Sequence, residues 1–285
     1  MDVPARHISE LFEAALDYEN RGDAYNAIKL YKKVAKLAPQ WAPPLQRLGM
    51  IYKYRLEWKP ALYYVKKSLA ADPGNRSAWW DLGIAATALR KWRLARNVWN
   101  KFGQSPTAGW RPGPLSIRLS YDKQYEILWA DSVDPARAII QNIPHPASGR
   151  QFRDVVLYDR VVSGYHVVRN KRFPVHEELG LYKRSGYQTY SCLLETTEPA
   201  DVYTLENLCR EADLGFEIWS NATRQFSPQQ GQSVPEYYDP GTLSGDLDTQ
   251  VHVALAARRK KHILQVLNSW TIISLAQYSD LRQHR

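Results

Sequence analysis

The chain has 285 residues, of which 44% are hydrophobic and 12% aromatic, a composition that can build packed cores and excludes a wholly disordered chain. No run of about 18 apolar residues occurs, so no membrane-spanning helix is expected. The net charge of +9 lies entirely in residues 1–107, which contain 18 Lys and Arg against 9 Asp and Glu, whereas residues 108–285 contain 20 of each. This asymmetry indicates an acidic partner or surface for the first third, although a basic face also favours solubility.

The N-terminus and the cysteines predict a cytoplasmic protein. Residues 1–15 lack the basic and apolar pattern of a signal peptide. Cys192 and Cys209 are 17 positions apart, which fits neither a CxxC metal pair nor a disulfide framework. We therefore expect two buried, inert thiols in a reducing compartment.

A 34-residue period runs through the first third of the chain. Like residues recur at that spacing: Ala27, Ala61 and Ala95; Pro39 and Pro73; Gly49 and Gly83; Leu48 and Leu82; Trp58 and Trp92. Such a period is typical of stacked helical hairpins, here with units 8–41, 42–75 and 76–107. The small residues are expected where two helices cross closely, and each Pro where a second helix ends. Gly22 predicts the first turn between helices.

The second and third units resemble tetratricopeptide repeats. The matching residues are Leu45, Leu48, Gly49, Tyr52, Ala61 and Pro73 in the second unit, and Trp79, Leu82, Gly83 and Ala95 in the third. The first unit departs from the family, because Leu11, Ala14 and Ala15 stand where Trp, Leu and Gly are usual. In the third unit Ala86 replaces a Tyr and the closing Pro is displaced to Pro106. Terminal repeats are often atypical.

The resemblance also implies which side chains line the concave groove of such a solenoid. Seven of them form the predicted partner-binding groove: Phe12, Leu16, Met50, Lys53, Tyr54, Trp80 and Ile84. Because six are apolar or aromatic, we expect the groove to bind a hydrophobic or helical protein segment. The basic clamp that holds an acidic C-terminus in some family members is absent, since Phe12, Leu16 and Gln46 occupy its region. Alternatively, the chain's own C-terminal part fills the groove.

Basic residues recur on the second helix of each unit. We call six of them the basic ridge: Lys32, Lys33, Lys66, Lys67, Arg93 and Lys101. The ridge is expected on the convex side of the solenoid, as a solvated face or as a binding surface for nucleic acid or an anionic membrane. We expect no exposed aromatic residues between the basic ones, although single-strand binding would need them.

A change of composition separates the repeats from the rest. Residues 103–114 contain three Gly and three Pro, which predicts a domain boundary. We assign residues 1–107 to the helical domain, 108–114 to a linker and 115–285 to a C-terminal domain. Trp110, in the linker, is expected to dock on the last repeat, because an indole is costly to expose.

The C-terminal region is predicted to be β-rich and then α+β. Strands are expected at 115–120, 125–133, 137–143 and 153–158, as a meander or small barrel, with Pro174 at an edge or in a loop. From residue 186 to 285 the order is strand, helix, strand, strand, helix, with a loop at 221–248. That order resembles most of a ferredoxin-like α+β sandwich.

No catalytic motif stands out in the sequence. His176, Glu177 and Glu178 lack the second histidine of a zinc-protease helix. Asp246 and Asp248 could hold a divalent cation, but a polar loop is favoured. We therefore expect no metal, no cofactor and no enzymatic activity, although catalytic groups could converge from distant positions.

The sequence thus predicts an α + (α+β) protein. A three-repeat solenoid of the tetratricopeptide type is followed by a β-rich segment and a ferredoxin-like domain. The expected function is that of a non-enzymatic adaptor that binds a protein segment, and the alternative is a nucleic-acid or anionic-surface binder that uses the basic ridge.

Overall fold

A computed structural model of the protein describes residues 5–104, 109, 111–122, 124–168, 171–219, 225–226, 236–238 and 250–284. The chain divides into two compact units, Met1–Arg111 and Pro112–Arg285. We call them unit 1 and unit 2. The predictions for Pro106, Trp110, Asp246 and Asp248, and most of the predicted loop at 221–248, lie outside the described residues.

Unit 1 is built from helical hairpins. Its helices in the described part are α1 (Ala5–Asn20), α2 (Ala24–Leu37), α3 (Ala42–Tyr54), α4 (Trp58–Ala71), α5 (Arg76–Ala88) and α6 (Trp92–Lys101). Helices α3 and α5 begin 34 residues apart, as do α4 and α6. Each helix packs on the next along the chain, and α3 also contacts α5. The predicted three-hairpin solenoid is therefore present.

Local sequence explains where these helices begin and end. Gly22 has a φ of +78° in the turn before α2, a conformation that glycine adopts without strain. The side chains of Asp23 and Asn75 accept hydrogen bonds from backbone N–H groups at the starts of α2 and α5. These N–H groups have no hydrogen-bond partner within the helix itself. Helices α2 and α4 end two residues before Pro39 and Pro73.

Two glycines allow the helices of the second and third hairpins to approach closely. A Cβ atom on Gly49 would lie 2.6 Å from Cγ2 of Val65, and one on Gly83 would lie 2.3 Å from the ring of Trp99. Real Cβ atoms essentially never approach other atoms so closely. The 34-residue recurrence of glycine therefore reflects the packing of each first helix on its second helix.

Unit 2 begins with a small barrel and continues as an α+β sandwich. Its described elements are β1 (Pro114–Tyr121), β2 (Gln124–Asp134), β3 (Arg137–Ile140), β4 (Val155–Val168), β5 (Lys171–Lys183), β6 (Gln188–Glu195), α7 (Pro199–Glu211), β7 (Gly215–Ile218), β8 (Gln225–Phe226), β9 (Glu236–Tyr238), β10 (Val251–Ala257), α8 (Lys260–Ser274) and β11 (Gln277–Gln283).

The first five strands close on themselves. Strands β2, β3, β4 and β5 pair in order, and β1 pairs antiparallel with β2 and parallel with β5. Short strands β8 and β9 add to β2 and β4. Buried side chains such as Ile117, Leu128 and Ile140 fill the interior. Pro174 lies within β5, opposite Tyr165 of β4 and one residue before the pairing with β1 begins, so its missing N–H disturbs only the end of that ladder.

The second sheet has the strand order β11-β6-β10-β7, and all its pairs are antiparallel. Helices α7 and α8 cover one face, where Leu194, Leu205, Leu255 and Trp270 are buried. The segment 141–154, which joins β3 to β4, covers the other face through Ile143 and Phe152. The sequence indicated no strand after the last helix, so β11 is an element that it did not predict.

Candidate protein-interaction site

The predicted groove residues lie on the first helix of each of the three repeats, and their solvent exposure differs. Leu16 of α1 and Met50 of α3 are half-buried, and Tyr54 at the end of α3 is 50% exposed. Phe12 is half-buried and packs on the rings of Tyr31 and Trp41, at centroid distances of 5.6 and 4.7 Å. The accessible apolar surface is therefore concentrated in the first two repeats.

Lys53 does not lie on an open surface. Its Nζ is 2.7 Å from Oδ1 of Asp81, and the two side chains are only 4% and 9% exposed. It also lies 4.5 Å from the centre of the Tyr54 ring. A buried lysine needs such a carboxylate partner, so this ion pair joins α3 to α5. The sequence placed Lys53 in the groove but did not reveal its partner, since the two residues are 28 positions apart.

Trp80 and Ile84 are buried, in contrast to the open positions implied by the repeat pattern. The ring of Trp80 lies 5.1 Å from the rings of both Trp99 and Phe102. In this last hairpin, Trp99 of α6 and Phe102, which follows α6, pack against the Trp80 indole. The contact of Trp80 with Trp99 follows from Gly83, which lets α6 approach α5 so closely.

The basic ridge is exposed on the second helices. All six residues, Lys32, Lys33, Lys66, Lys67, Arg93 and Lys101, are solvent-exposed. Lys67 lies 4.8 Å from the centre of the Tyr63 ring and Lys101 3.8 Å from that of Trp79. Hydrogen bonding to the Tyr63 hydroxyl raises the pKa of Lys67. The ridge is thus a cationic surface with aromatic side chains beside it.

The expectation that this surface lacks exposed aromatic residues is wrong. Tyr25 of α2 is 74% exposed and Tyr63 of α4 is 52% exposed. Tyr25 lies one turn before Lys29, and Tyr63 one turn before Lys67, so each shares a helix face with an exposed lysine. The two tyrosines occupy different places in the repeat, which is why the 34-residue comparison did not show them.

The fold of unit 1 follows from the 34-residue spacing, the close glycine contacts and the packing of its hairpins. Unit 1 is a tetratricopeptide-type segment. Solved structures that the chain resembles include the first tetratricopeptide domain of Spaghetti (RPAP3) bound to an HSP90 peptide, at 19% identity and a TM-score of 0.34, covering 36% of this chain and 82% of that one. The TPR2B domain of yeast Sti1 in an Hsp70 complex matches at 20% and 0.32, covering 34% and 77%.

A tetratricopeptide repeat protein from Parabacteroides merdae matches at 22% identity and a TM-score of 0.33, covering 35% of this chain and 40% of that one. No family model matches the chain, and no curated protein sequence matches it. These likenesses are of fold alone.

Both cysteines and His176 lie in surroundings that disfavour their charged forms. Cys192 and Cys209 are free and buried, and burial raises the pKa of each thiol to about 12. Burial also lowers the pKa of His176. In the described part of the chain, no group of three or more His, Cys, Asp or Glu side chains could hold a metal ion, and no described helix has the length and apolar character to cross a membrane.

Proposed function

We propose that unit 1 binds a segment of a partner protein along the first helices of its first two repeats. The observation that carries the proposal is the accessible apolar set Leu16, Met50 and Tyr54. Because these three side chains are already about half-buried, burying the rest of each contributes roughly 0.8–1.5 kcal/mol, about half of the value for full burial. A helical or extended apolar segment fits this surface. Lys53, Trp80 and Ile84 are buried, so they are not part of the proposed contact surface.

Photocrosslinking at position 54 tests the proposal. A photoreactive amino acid replaces Tyr54 in the full chain, and the same substitution at Tyr203, which is 45% exposed on α7, is the matched control. We expect an intermolecular adduct from position 54 alone. Met50→Gln should then weaken binding of the crosslinked segment, made as a peptide. An adduct within the same chain, between position 54 and unit 2, would mean that the protein fills its own groove, and the proposal would be rejected.

The second candidate function is binding of a single-stranded polynucleotide by the basic ridge. The exposed rings of Tyr25 and Tyr63 among exposed lysines favour it, because bases stack on aromatic side chains while cations neutralise phosphates. Residues 21–104 carry 17 Lys and Arg against 4 Asp and Glu. The ridge residues lie on the second helices and the groove residues on the first helices, so the two functions are compatible.

Salt dependence and a charge-matched control test the polynucleotide hypothesis. Lys32, Lys33, Lys66 and Lys67 are changed to Gln together, and in a second variant the exposed residues 258–261, which are also four cations, are changed likewise. The ridge variant should lower the salt slope for oligonucleotide binding by roughly three, at about 0.7 per phosphate contact. Equal losses in both variants would indicate nonspecific attraction. Binding to anionic vesicles but not to oligonucleotides would replace the nucleic acid with a membrane surface.

We also infer that residues 188–283 form a ferredoxin-like sandwich. The element order β6-α7-β7-β10-α8-β11 and the strand order β11-β6-β10-β7 support this assignment. The fold by itself specifies no function.

A further inference from the structure

Unit 2 contains a cavity where the segment 141–154 meets the edge of the four-stranded sheet. Its volume is about 150 Å³. Five of its lining side chains are hydrogen-bond donors or can become donors: Arg150, Gln151, Arg184, Thr189 and His284. None of the described residues that line it is acidic. The lining therefore suits a ligand rich in hydrogen-bond acceptors and negative charge.

Two carboxylates, those of Glu178 and Asp154, hold the two arginines in place. Arg150 donates from Nε to Glu178 at 2.7 Å. Arg184 donates from Nη1 to the carbonyl oxygen of Gly149 at 2.7 Å and to Asp154 at 3.3 Å. Asp154 is fully buried and also accepts two backbone N–H bonds. Neither carboxylate lines the cavity, and each restrains the guanidinium group with which it pairs, as preorganised anion sites require.

His284 connects the cavity to a group of imidazole rings. Its Nε2 is 2.8 Å from Oγ of Ser191. The ring of Trp219 lies 5.4 Å from His284, 5.5 Å from His252 and 6.3 Å from His145. Burial lowers the pKa of His284, and the charges of His252 and His145 oppose its protonation further. A ligand anion in the cavity would supply the missing counter-charge.

We infer that this cavity binds a phosphate group, with Arg150 and Arg184 as charge partners and Gln151, Thr189 and His284 as additional donors. A tetrahedral phosphate offers more acceptor oxygens than a carboxylate and can engage donors that approach from several sides. The cavity is partly open, and its volume of about 150 Å³ leaves room for one phosphate group. Binding favours the protonated form of His284, so anion and proton are taken up together.

The test follows the histidine imidazole signals of the full chain by NMR during titration with inorganic phosphate. Sodium chloride at equal ionic strength and acetate are the control titrations. We expect a saturable shift of the His284 signal and a raised His284 pKa with phosphate alone. A small phosphate monoester, titrated in parallel, distinguishes free phosphate from a phosphate group on a larger molecule, because only an open cavity accepts the ester.

Three variants distinguish a preformed phosphate site from nonspecific electrostatic attraction of anions. Thr189→Val removes one donor with little change of shape, and Arg184→Gln removes one cation; each should weaken phosphate binding at least tenfold. Arg282→Gln is the matched control, because Arg282 is exposed, lies two residues from His284 and also disfavours its protonation, yet does not line the cavity. Equal weakening by Arg282→Gln and Arg184→Gln, a shift that never saturates, or equal affinity for acetate would each overturn the proposal.

Discussion

The crossing of α5 and α6 provides a direct test of how the repeat folds. In Gly83→Ala the new methyl group would lie 2.3 Å from the Trp99 ring, about 1 Å closer than ordinary contact. Trp99 is buried against Trp80, so its ring cannot rotate away. Overpacking of this kind costs about 1–3 kcal/mol, while the better helix propensity of Ala returns about 1 kcal/mol. We expect a net destabilisation of up to about 2 kcal/mol.

Native-state hydrogen exchange of the α5 and α6 amides measures this loss locally, without assuming that both units unfold together. Gly74→Ala is the control, because a Cβ atom there meets its nearest neighbour only at 3.4 Å. In a Trp99→Leu background, Gly83→Ala should become stabilising, because the ring is gone and the propensity gain remains. If Gly83→Ala stabilised the otherwise unchanged protein, the close-crossing explanation of the repeat glycines would be refuted.

Three further outcomes are expected. Asp81→Asn, which leaves Lys53 buried without its carboxylate, should lower the free energy of unfolding by about 3–5 kcal/mol; a loss below 1 kcal/mol in urea unfolding would contradict this. His145 and His284 have lowered pKa values because of burial, so their contribution to stability is present above about pH 6.5 and is lost as the pH falls further. A His145→Asn, His284→Asn variant should therefore show a flatter melting temperature between pH 7 and 5. Both cysteines should resist a thiol reagent until the protein unfolds, since their pKa values are about 12.

The sequence predicts unit 1 well because each repeat is determined by local spacing. Glycine, alanine and proline at fixed intervals specify where helices cross and end, and these positions need no knowledge of distant residues. Exposure is harder to predict. Trp80 occupies a groove position in the repeat pattern, but Phe102, which follows α6, packs against it. Tyr25 and Tyr63 have no counterpart one period away, so a search for recurrence does not find them.

Unit 2 is predicted less completely because its strands pair over long distances. The starts of β1 and β2 follow from β-branched and aromatic runs, but the pairing of β1 with β5 joins residues about 60 positions apart. Strand β11 has a polar, mostly exposed sequence with a bulge between Ser279 and Arg282. It lacks the alternation that identifies a strand, and only its pairing with β6 establishes it.

The phosphate cavity could not be predicted from the sequence, because the packing of one sheet face creates it. Gly215 and Ala256 leave room there: a Cβ atom on Gly215 would lie 2.9 Å from the Ala256 methyl and 3.0 Å from the Phe152 ring. These small residues allow the segment 141–154 to lie directly on the sheet, and that contact brings Arg150 to the same cavity as His284. Gly215→Val should therefore displace the segment and abolish phosphate binding, even though Gly215 does not line the cavity. Unchanged phosphate affinity in a folded Gly215→Val protein would show that the cavity forms independently of this packing.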